Sequence, residues 1–237
     1  MVGILVLVLL PASASGAAPT QGGSERIRNY DVDVQIEPTG TVRVHETIDY
    51  DFGVFPRHGI FRDVPVRFDY PPKANHDRVY PLDVVSVQAS EGTPAQYTLE
   101  SGDIDGVGVR RIKIGDPDRT ITGRHTYDIT YTLRGVLNAF EDHDELNLNA
   151  IGPGWTVPID QATVTVEAPA DIARVACFSG ALQSRLPCAS ADSSGPAATF
   201  TQGNMPPGAA IAVVTAAAFG RKAAPPGAAR WRYRGIR

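Results

Sequence analysis

The sequence predicts an all-β protein, and three observations support this fold class. Apolar and polar residues alternate with a period of two over much of the chain, as they do in half-buried strands. The alternating runs are short and are separated by Gly, Pro and Asp. No segment shows the apolar period of an amphipathic helix, which argues against a parallel α/β sheet. The predicted architecture is an antiparallel β-sandwich, immunoglobulin-like in general architecture, with a long ordered insertion after its first hairpin.

The first predicted element is that hairpin. Each strand places four apolar residues on one face: Tyr30, Val32, Val34 and Ile36, then Val42, Val44, Ile48 and Tyr50. Pro38-Thr39-Gly40 is the turn between them. The same pattern predicts strands at Val79–Val87, Val109–Ile114, Thr126–Leu133, Ala162–Glu167, Ala197–Gln202 and Ala210–Phe219.

The predicted insertion, Phe52–Pro81, is rich in Pro, Arg and aromatic residues. Connections longer than about 15 residues in a compact domain are usually functional or disordered. Because this segment contains enough Phe, Val and Tyr to pack on the sandwich, we expect it to be ordered.

The amino end has the features of a secretory signal. Residues 2–10 are almost entirely apolar, and Ala12-Ser13-Ala14 fits the small-x-small pattern of a cleavage site. An apolar run of about 9 residues is far shorter than the roughly 20 that cross a bilayer. We therefore expect residues 1–17 to be a signal peptide and the protein to be exported, although no positive charge precedes Glu25.

The carboxyl end is a separate basic segment. Residues 220–237 contain six of the 22 basic side chains and no acidic one, which leaves 16 basic against 26 acidic side chains in residues 1–219. This acidic body argues against nucleic-acid binding, which depends on phosphate neutralisation by clustered Lys and Arg. Arg230–Arg234 interleaves Arg with Trp and Tyr, as in segments that bind anionic headgroups, but we expect a disordered tail.

Only two cysteines occur, Cys177 and Cys188. In an exported protein they are expected to form a disulfide, and the alternative is two buried thiols. Their spacing fits no zinc motif.

Four stretches resemble the bacterial "domain of unknown function 2207" family of predicted membrane proteins, and their order and spacing match as a set. They are Tyr30-Asp31-Val32 with the hairpin after it, Arg57–Pro65, Thr122–Tyr131, and Asp142–Leu146 followed by Asn149, Ile151-Gly152 and Trp155–Ile159. The resemblance covers residues 26–219, which we expect to be one extracytoplasmic β-sandwich domain. It also implies a transmembrane helix after the domain. Because Ala209–Phe219 is too short to span a bilayer, we expect a soluble secreted form or a chain truncated before that helix.

Arg57, His58, Arg62 and Asp63 lie together in the insertion beside several phenylalanines. One hypothesis is a recognition patch for an anionic wall polymer or a peptide, with Arg as a bidentate donor. The other is that Arg62 and Asp63 tether the insertion to the sandwich through charge-assisted hydrogen bonds.

Glu141 and the four residues after it, Asp142, His143, Asp144 and Glu145, place four carboxylates around one imidazole. Clustered carboxylate oxygens suit hard cations such as calcium, which makes Asp142 to Glu145 a candidate metal site. The alternative is a solvated acidic turn before the next strand, because no calcium-loop spacing is present.

No catalytic signature of a serine hydrolase, zinc protease or phosphate-binding loop occurs in the sequence. We therefore expect a non-enzymatic extracytoplasmic module of a cell-envelope or membrane protein, with a binding or structural role and no cofactor. Its partner would be an envelope protein or polymer, and a full-length form would associate with the membrane. The alternative is a cation-dependent or hydrolytic envelope protein that uses the acidic His143 cluster.

Overall fold

The computed structural model describes residues 24–69 and 76–217. The predicted signal peptide and basic tail lie outside these residues. The described chain is all-β, contains no helix, and forms fifteen strands: β1 Arg26–Ile36, β2 Val42–Asp51, β3 Gly59–Asp69, β4 Asp77–Val79, β5 Leu82–Ala89, β6 Tyr97–Ile104, β7 Val107–Gly115, β8 Arg124–Leu133, β9 Leu137–Ala139, β10 Asp144–Ile151, β11 Ile159–Glu167, β12 Ile172–Gly180, β13 Ser190–Ser194, β14 Ala197–Met205 and β15 Ala210–Ala217.

The strands form three sheets. The first has seven strands in the order β13-β14-β11-β1-β2-β8-β5, the second has the order β12-β15-β10-β9, and the third has the order β4-β3-β7-β6. The pairs are antiparallel, as predicted, except that β1 and β11 run parallel. These two strands are far apart in sequence, so no tight turn forces them to be antiparallel.

The predicted alternation is confirmed. Both apolar faces of the first hairpin are buried, and so is the face of β8 that carries Tyr127, Ile129, Tyr131 and Leu133. These side chains join residues of the two four-stranded sheets in one continuous core. Trp155 lies in that core, with its ring edge-on to Tyr30 at a centroid distance of 5.6 Å.

The insertion is ordered in its described part, as expected, but it forms strands and not a loop. β3 and β4 belong to it; they pair with each other, and β3 pairs with β7 in the third sheet. Ile60 and Val64 of β3 enter the core. The strand predicted at Val79–Val87 is divided between β4 and β5. Pro81, which has no N–H for a sheet ladder, lies at the break.

Candidate interaction surface

The first functional candidate that the structure reveals is a carboxylate inside the core. Glu46 occupies a core-facing position of β2, between Val44 and Ile48, and is completely buried. Two tyrosine hydroxyls donate to it: Tyr30 to Oε2 at 2.8 Å and Tyr131 to Oε1 at 2.6 Å. Sequence reasoning missed this residue, although an acid on an otherwise apolar strand face is a visible signal.

Arg62 of β3 supplies the opposite charge. Its Nε donates to Glu46 Oε2 at 2.6 Å and its Nη2 to Oε1 at 2.7 Å, so the pair is bidentate and buried. Nη2 also donates to the carbonyl of Ala150 in β10, at 3.1 Å. Burial alone would lower the pKa of Arg62, but the adjacent Glu46 carboxylate holds it well above its usual range. This one guanidinium therefore links all three sheets.

Asp63, the next residue, is also buried and pairs with β7. Arg111 Nε and Nη2 donate to its two carboxylate oxygens at 2.8 and 2.9 Å. The backbone at Gly154 packs so closely on Asp63 that a Cβ there would lie 2.9 Å from Oδ2. Hydrogen bonds to Asp63 raise the pKa of Arg111.

The structure therefore corrects the predicted patch of Arg57, His58, Arg62 and Asp63. Arg62 and Asp63 are buried and are not available to a ligand, because both are committed to ion pairs between strands and sheets. Their geometry is that of the alternative hypothesis, the tether. Arg57 and His58 remain exposed.

Arg57 and His58 are held by their neighbours at one end of the third sheet. Arg57 Nη2 donates to Glu25 Oε2 at 2.7 Å, and its guanidinium lies 5.9 Å from the Phe55 ring centroid. Burial opposes ionisation of Glu25, but hydrogen bonds from Arg57 and Tyr50 lower its pKa below the ordinary value. His58 Nδ1 lies 3.0 Å from the carbonyl oxygen of Asp116 and donates a hydrogen bond to it; the other ring nitrogen, Nε2, takes no part in this bond.

An exposed aromatic ring with two cations lies on the outer side of the same sheet. Phe61 is 52% exposed; the Arg111 guanidinium carbon lies 5.0 Å and Lys113 Nζ 5.9 Å from its ring centroid. No carboxylate of the described residues lies within 4.0 Å of Lys113 Nζ. We call Phe61, Arg111 and Lys113 the basic aromatic face. The outward orientation of Arg111 and Lys113 could be predicted from the sequence, because they alternate with the apolar Ile112 and Ile114 in the predicted strand Val109–Ile114.

The candidate metal residues lie at the turn into β10. His143 Nδ1 is 2.7 Å from Asp142 Oδ1, an interaction that lowers the pKa of Asp142, and the imidazole stacks on Phe140. Asp144 and Glu145 are adjacent strand residues and therefore point to opposite faces. Across residues 24–69 and 76–217, no three His, Cys, Asp or Glu side chains are grouped so that they could hold a metal ion. The geometry therefore gives no support to a cation site here.

The predicted disulfide is confirmed. Cys177 of β12 is bonded to Cys188, just before β13, with a Cα–Cα distance of 5.4 Å. The bond joins the second sheet to the segment that enters the edge of the first.

A shallow polar depression of about 510 Å³ lies on the outer face of the seven-stranded sheet. Asn29, Asp31, Thr47 and Arg124 are among its lining residues. Arg124 is paired with Asp49 through Nε and Oδ1 at 2.6 Å, as Arg111 is with Asp63, and the lining residues include no second cation comparable to Lys113. No aromatic side chain lines the depression, so it is a weaker candidate for ligand binding than the basic aromatic face.

Fold and surface together define an all-β domain with a buried ion pair at its centre and an exposed basic aromatic face. The chain belongs to the family described as predicted membrane protein (DUF2207), N-terminal domain, whose model matches residues 26–217. The resemblance inferred from the four sequence stretches is thereby confirmed. No helix in the described part of the chain combines the length and apolarity needed to cross a membrane.

No curated protein sequence matches this chain. Among solved structures, the M1 zinc metallopeptidase from Deinococcus radiodurans is similar at 12% identity and a TM-score of 0.40, over 83% of this chain and 43% of that one. Leukotriene A4 hydrolase from Saccharomyces cerevisiae is similar at 10% identity and a TM-score of 0.44, over 87% and 32%. A putative protease from Parabacteroides distasonis is similar at 11% identity and a TM-score of 0.43, over 81% and 40%. The chain thus spans less than half of each structure, and similarities at this level carry no argument about activity.

Proposed function

We propose that this protein is a non-enzymatic extracytoplasmic module of a cell-envelope or membrane protein, and that it binds an anionic envelope polymer or an acidic protein surface. The family description as a predicted membrane protein supports a place at the membrane. The apolar amino end and the disulfide support export, because disulfides persist in oxidising compartments.

The observation that carries the proposal is the basic aromatic face. Exposed aromatic rings beside Arg and Lys combine apolar contact area with donors for carboxylates or phosphates. Lys113 has no carboxylate partner among the described residues of its own chain, so in a single copy its charge is available to a ligand. Arg111 is oriented by Asp63, which reduces the entropy lost when the face is covered.

The core beneath this face supports binding in preference to catalysis. The buried ionisable groups with close geometry, Glu46 and Arg62, satisfy one another and nearby hydroxyl and carbonyl groups. These bonds join β3, the strand that carries Phe61, to the first sheet. A rigid support of this kind favours recognition, because the contact groups are placed before the ligand arrives.

The test is cross-linking of the full chain in intact cell envelopes, followed by identification of the bound protein or polymer. The test variant is Lys113→Glu combined with Phe61→Ser, and the matched control is Arg185→Glu, which makes a similar charge change at another exposed position. Both variants are first compared with the wild type by thermal unfolding. We expect the cross-linked species to disappear only with the test variant. Equal cross-linking in a folded test variant would show that this face is not the binding surface.

A further inference from the structure

The edge strand β6 of the third sheet is open on one side. Among the described strands, its hydrogen-bonded neighbour is β7 alone. The two strands pair without interruption from Tyr97 opposite Ile114 to Ile104 opposite Val107. Seven of the eight β6 residues are exposed. Backbone N–H and C=O groups on the side away from β7 are therefore available to another strand.

The other five sheet edges in the described chain are protected. β4 and β9 have three residues each, and β13 has five. β5 and β12 contain register shifts, and β12 is bridged at Phe178 by Pro187. Short strands and bulges are devices that prevent edge-to-edge pairing. By contrast, β6 is eight residues long, pairs with β7 without a register shift, and contains no Lys or Pro.

The core-facing side of β6 carries uncovered apolar side chains. Tyr97 and Leu99 lie opposite the buried residues Ile114 and Ile112, so they point to the core side of the sheet. They are nevertheless 41% and 36% exposed. On the outer side, Thr98 lies opposite Lys113, and Glu100 lies opposite Arg111.

From these positions we propose that β6 pairs antiparallel with β6 of a second copy of this chain, about a two-fold axis at Leu99. Residues directly opposite in an antiparallel pair share a face, so each copy continues the sheet of the other. Leu99 then meets Leu99 of the second copy, and Thr98 lies opposite Glu100 of the second copy. Tyr97–Ser101 is the paired stretch in each copy.

Charge complementarity favours pairing with a second copy of the chain in this register. On the outer side, Lys113 and Glu100 of the second copy flank the short Thr98, and both side chains are long enough to meet across it. On the core side, Tyr97 approaches Arg110 of the second copy, because Arg110 is held over Ser101 by a 3.1 Å hydrogen bond. The two-fold axis produces each of these contacts twice.

Neighbouring registers lack this complementarity. Moving the axis to Glu100 places that carboxylate opposite its own copy, and like charges directly opposite are destabilising. Moving it to Thr98 leaves only Tyr97–Leu99 paired. Odd shifts would place apolar residues of one copy on the polar face of the other.

Sedimentation velocity of the full chain, from about 1 to about 300 µM, tests the proposal because mass action makes a dimer depend on concentration. We expect a dimer that Leu99→Lys weakens by about tenfold or more, because it places a charge on the apolar side of the shared edge. The matched control is Leu186→Lys, at an apolar side chain that is 69% exposed in the disulfide loop, and it should leave the dimer intact. Thermal unfolding confirms that both variants are folded.

A charge exchange tests the register. Glu100→Lys should weaken the dimer, and Glu100→Lys with Lys113→Glu should restore most of it, because the intermolecular pair is re-formed with reversed sign. A monomer at all concentrations, a dimer that Leu99→Lys leaves intact, or a double variant no tighter than the single one would overturn the proposal. Lys113 belongs both to the basic aromatic face and to the proposed dimer contact, and Leu99→Lys separates the two because it keeps Phe61, Arg111 and Lys113. Envelope cross-linking by a monomeric Leu99→Lys variant shows that the face binds without the dimer, and a wild-type dimer that does not cross-link contradicts the proposed function alone.

Discussion

Replacing Arg62 with Met tests whether the buried ion pair holds the three sheets together. Met fills part of the volume of the Arg side chain but removes the cation, and Glu46 is then left as a carboxylate with no exposed surface. Tyr30 and Tyr131 still donate to it. The carbonyl of Ala150 loses its guanidinium donor. The variant therefore creates an uncompensated charge in the core.

The expected loss is large relative to the stability of a domain. Removing one partner of a buried ion pair costs about 3–5 kcal/mol. In a domain of this size, each 1 kcal/mol shifts the melting temperature by about 2–4 °C. Arg62→Met should therefore melt roughly 6–20 °C below the wild type. The matched control is Arg134→Met, because the Arg134–Asp83 pair is 60% and 66% exposed and should contribute less than about 1 kcal/mol.

The assay is urea and thermal unfolding of the wild type, Arg62→Met, Glu46→Gln and the double variant. The double variant contains no unpaired buried charge, so its loss should be smaller than the sum of the two single losses. If Arg62→Met melts within about 2 °C of the wild type, or if the two losses simply add, the ion pair does not join the sheets in the way described.

Three further predictions concern other parts of the domain. Thr215 is fully buried and its hydroxyl has no partner among the described residues, so Thr215→Val should raise the free energy of unfolding by about 1 kcal/mol in urea denaturation; a loss would show that the hydroxyl is satisfied. Reducing Cys177–Cys188 should lower it by about 3 kcal/mol, because the bond closes an eleven-residue separation in the unfolded chain; equal unfolding curves with and without reductant would contradict this. The pKa of Glu25 is lowered in the folded state, so its contribution to stability is complete above the ordinary pKa of 4.5 and is lost as the pH falls through the lower folded value. Carboxyl NMR titration should show this pKa rising in Arg57→Ala, and an unchanged value would exclude Arg57 as its cause.

The sequence indicated the insertion as a candidate surface, but the residues predicted there did not include Phe61, Arg111 or Lys113, and their division into buried and exposed side chains was not predicted. Arg57 and Arg62 belong to one short run, and nothing local distinguishes their surroundings. The partner of Arg62 is Glu46, which lies on a strand of a different sheet. The alternation around Lys113 predicts that its side chain points to the outer face of the sheet. Its position beside Phe61, however, depends on the pairing of β3 with β7.

The sequence by itself determined the all-β class, the inward faces of the first hairpin and of β8, and the disulfide, because period-two burial is local and only two cysteines are present. It also determined the family, through the order and spacing of its stretches. Only the tertiary structure decided that the insertion builds a third sheet, that β1 and β11 pair in parallel, and that Arg62 is inside while Arg57 is outside. Long-range strand pairing and the burial of a charge depend on residues that are distant in sequence. The local hydrophobic pattern does not show which of these residues come into contact.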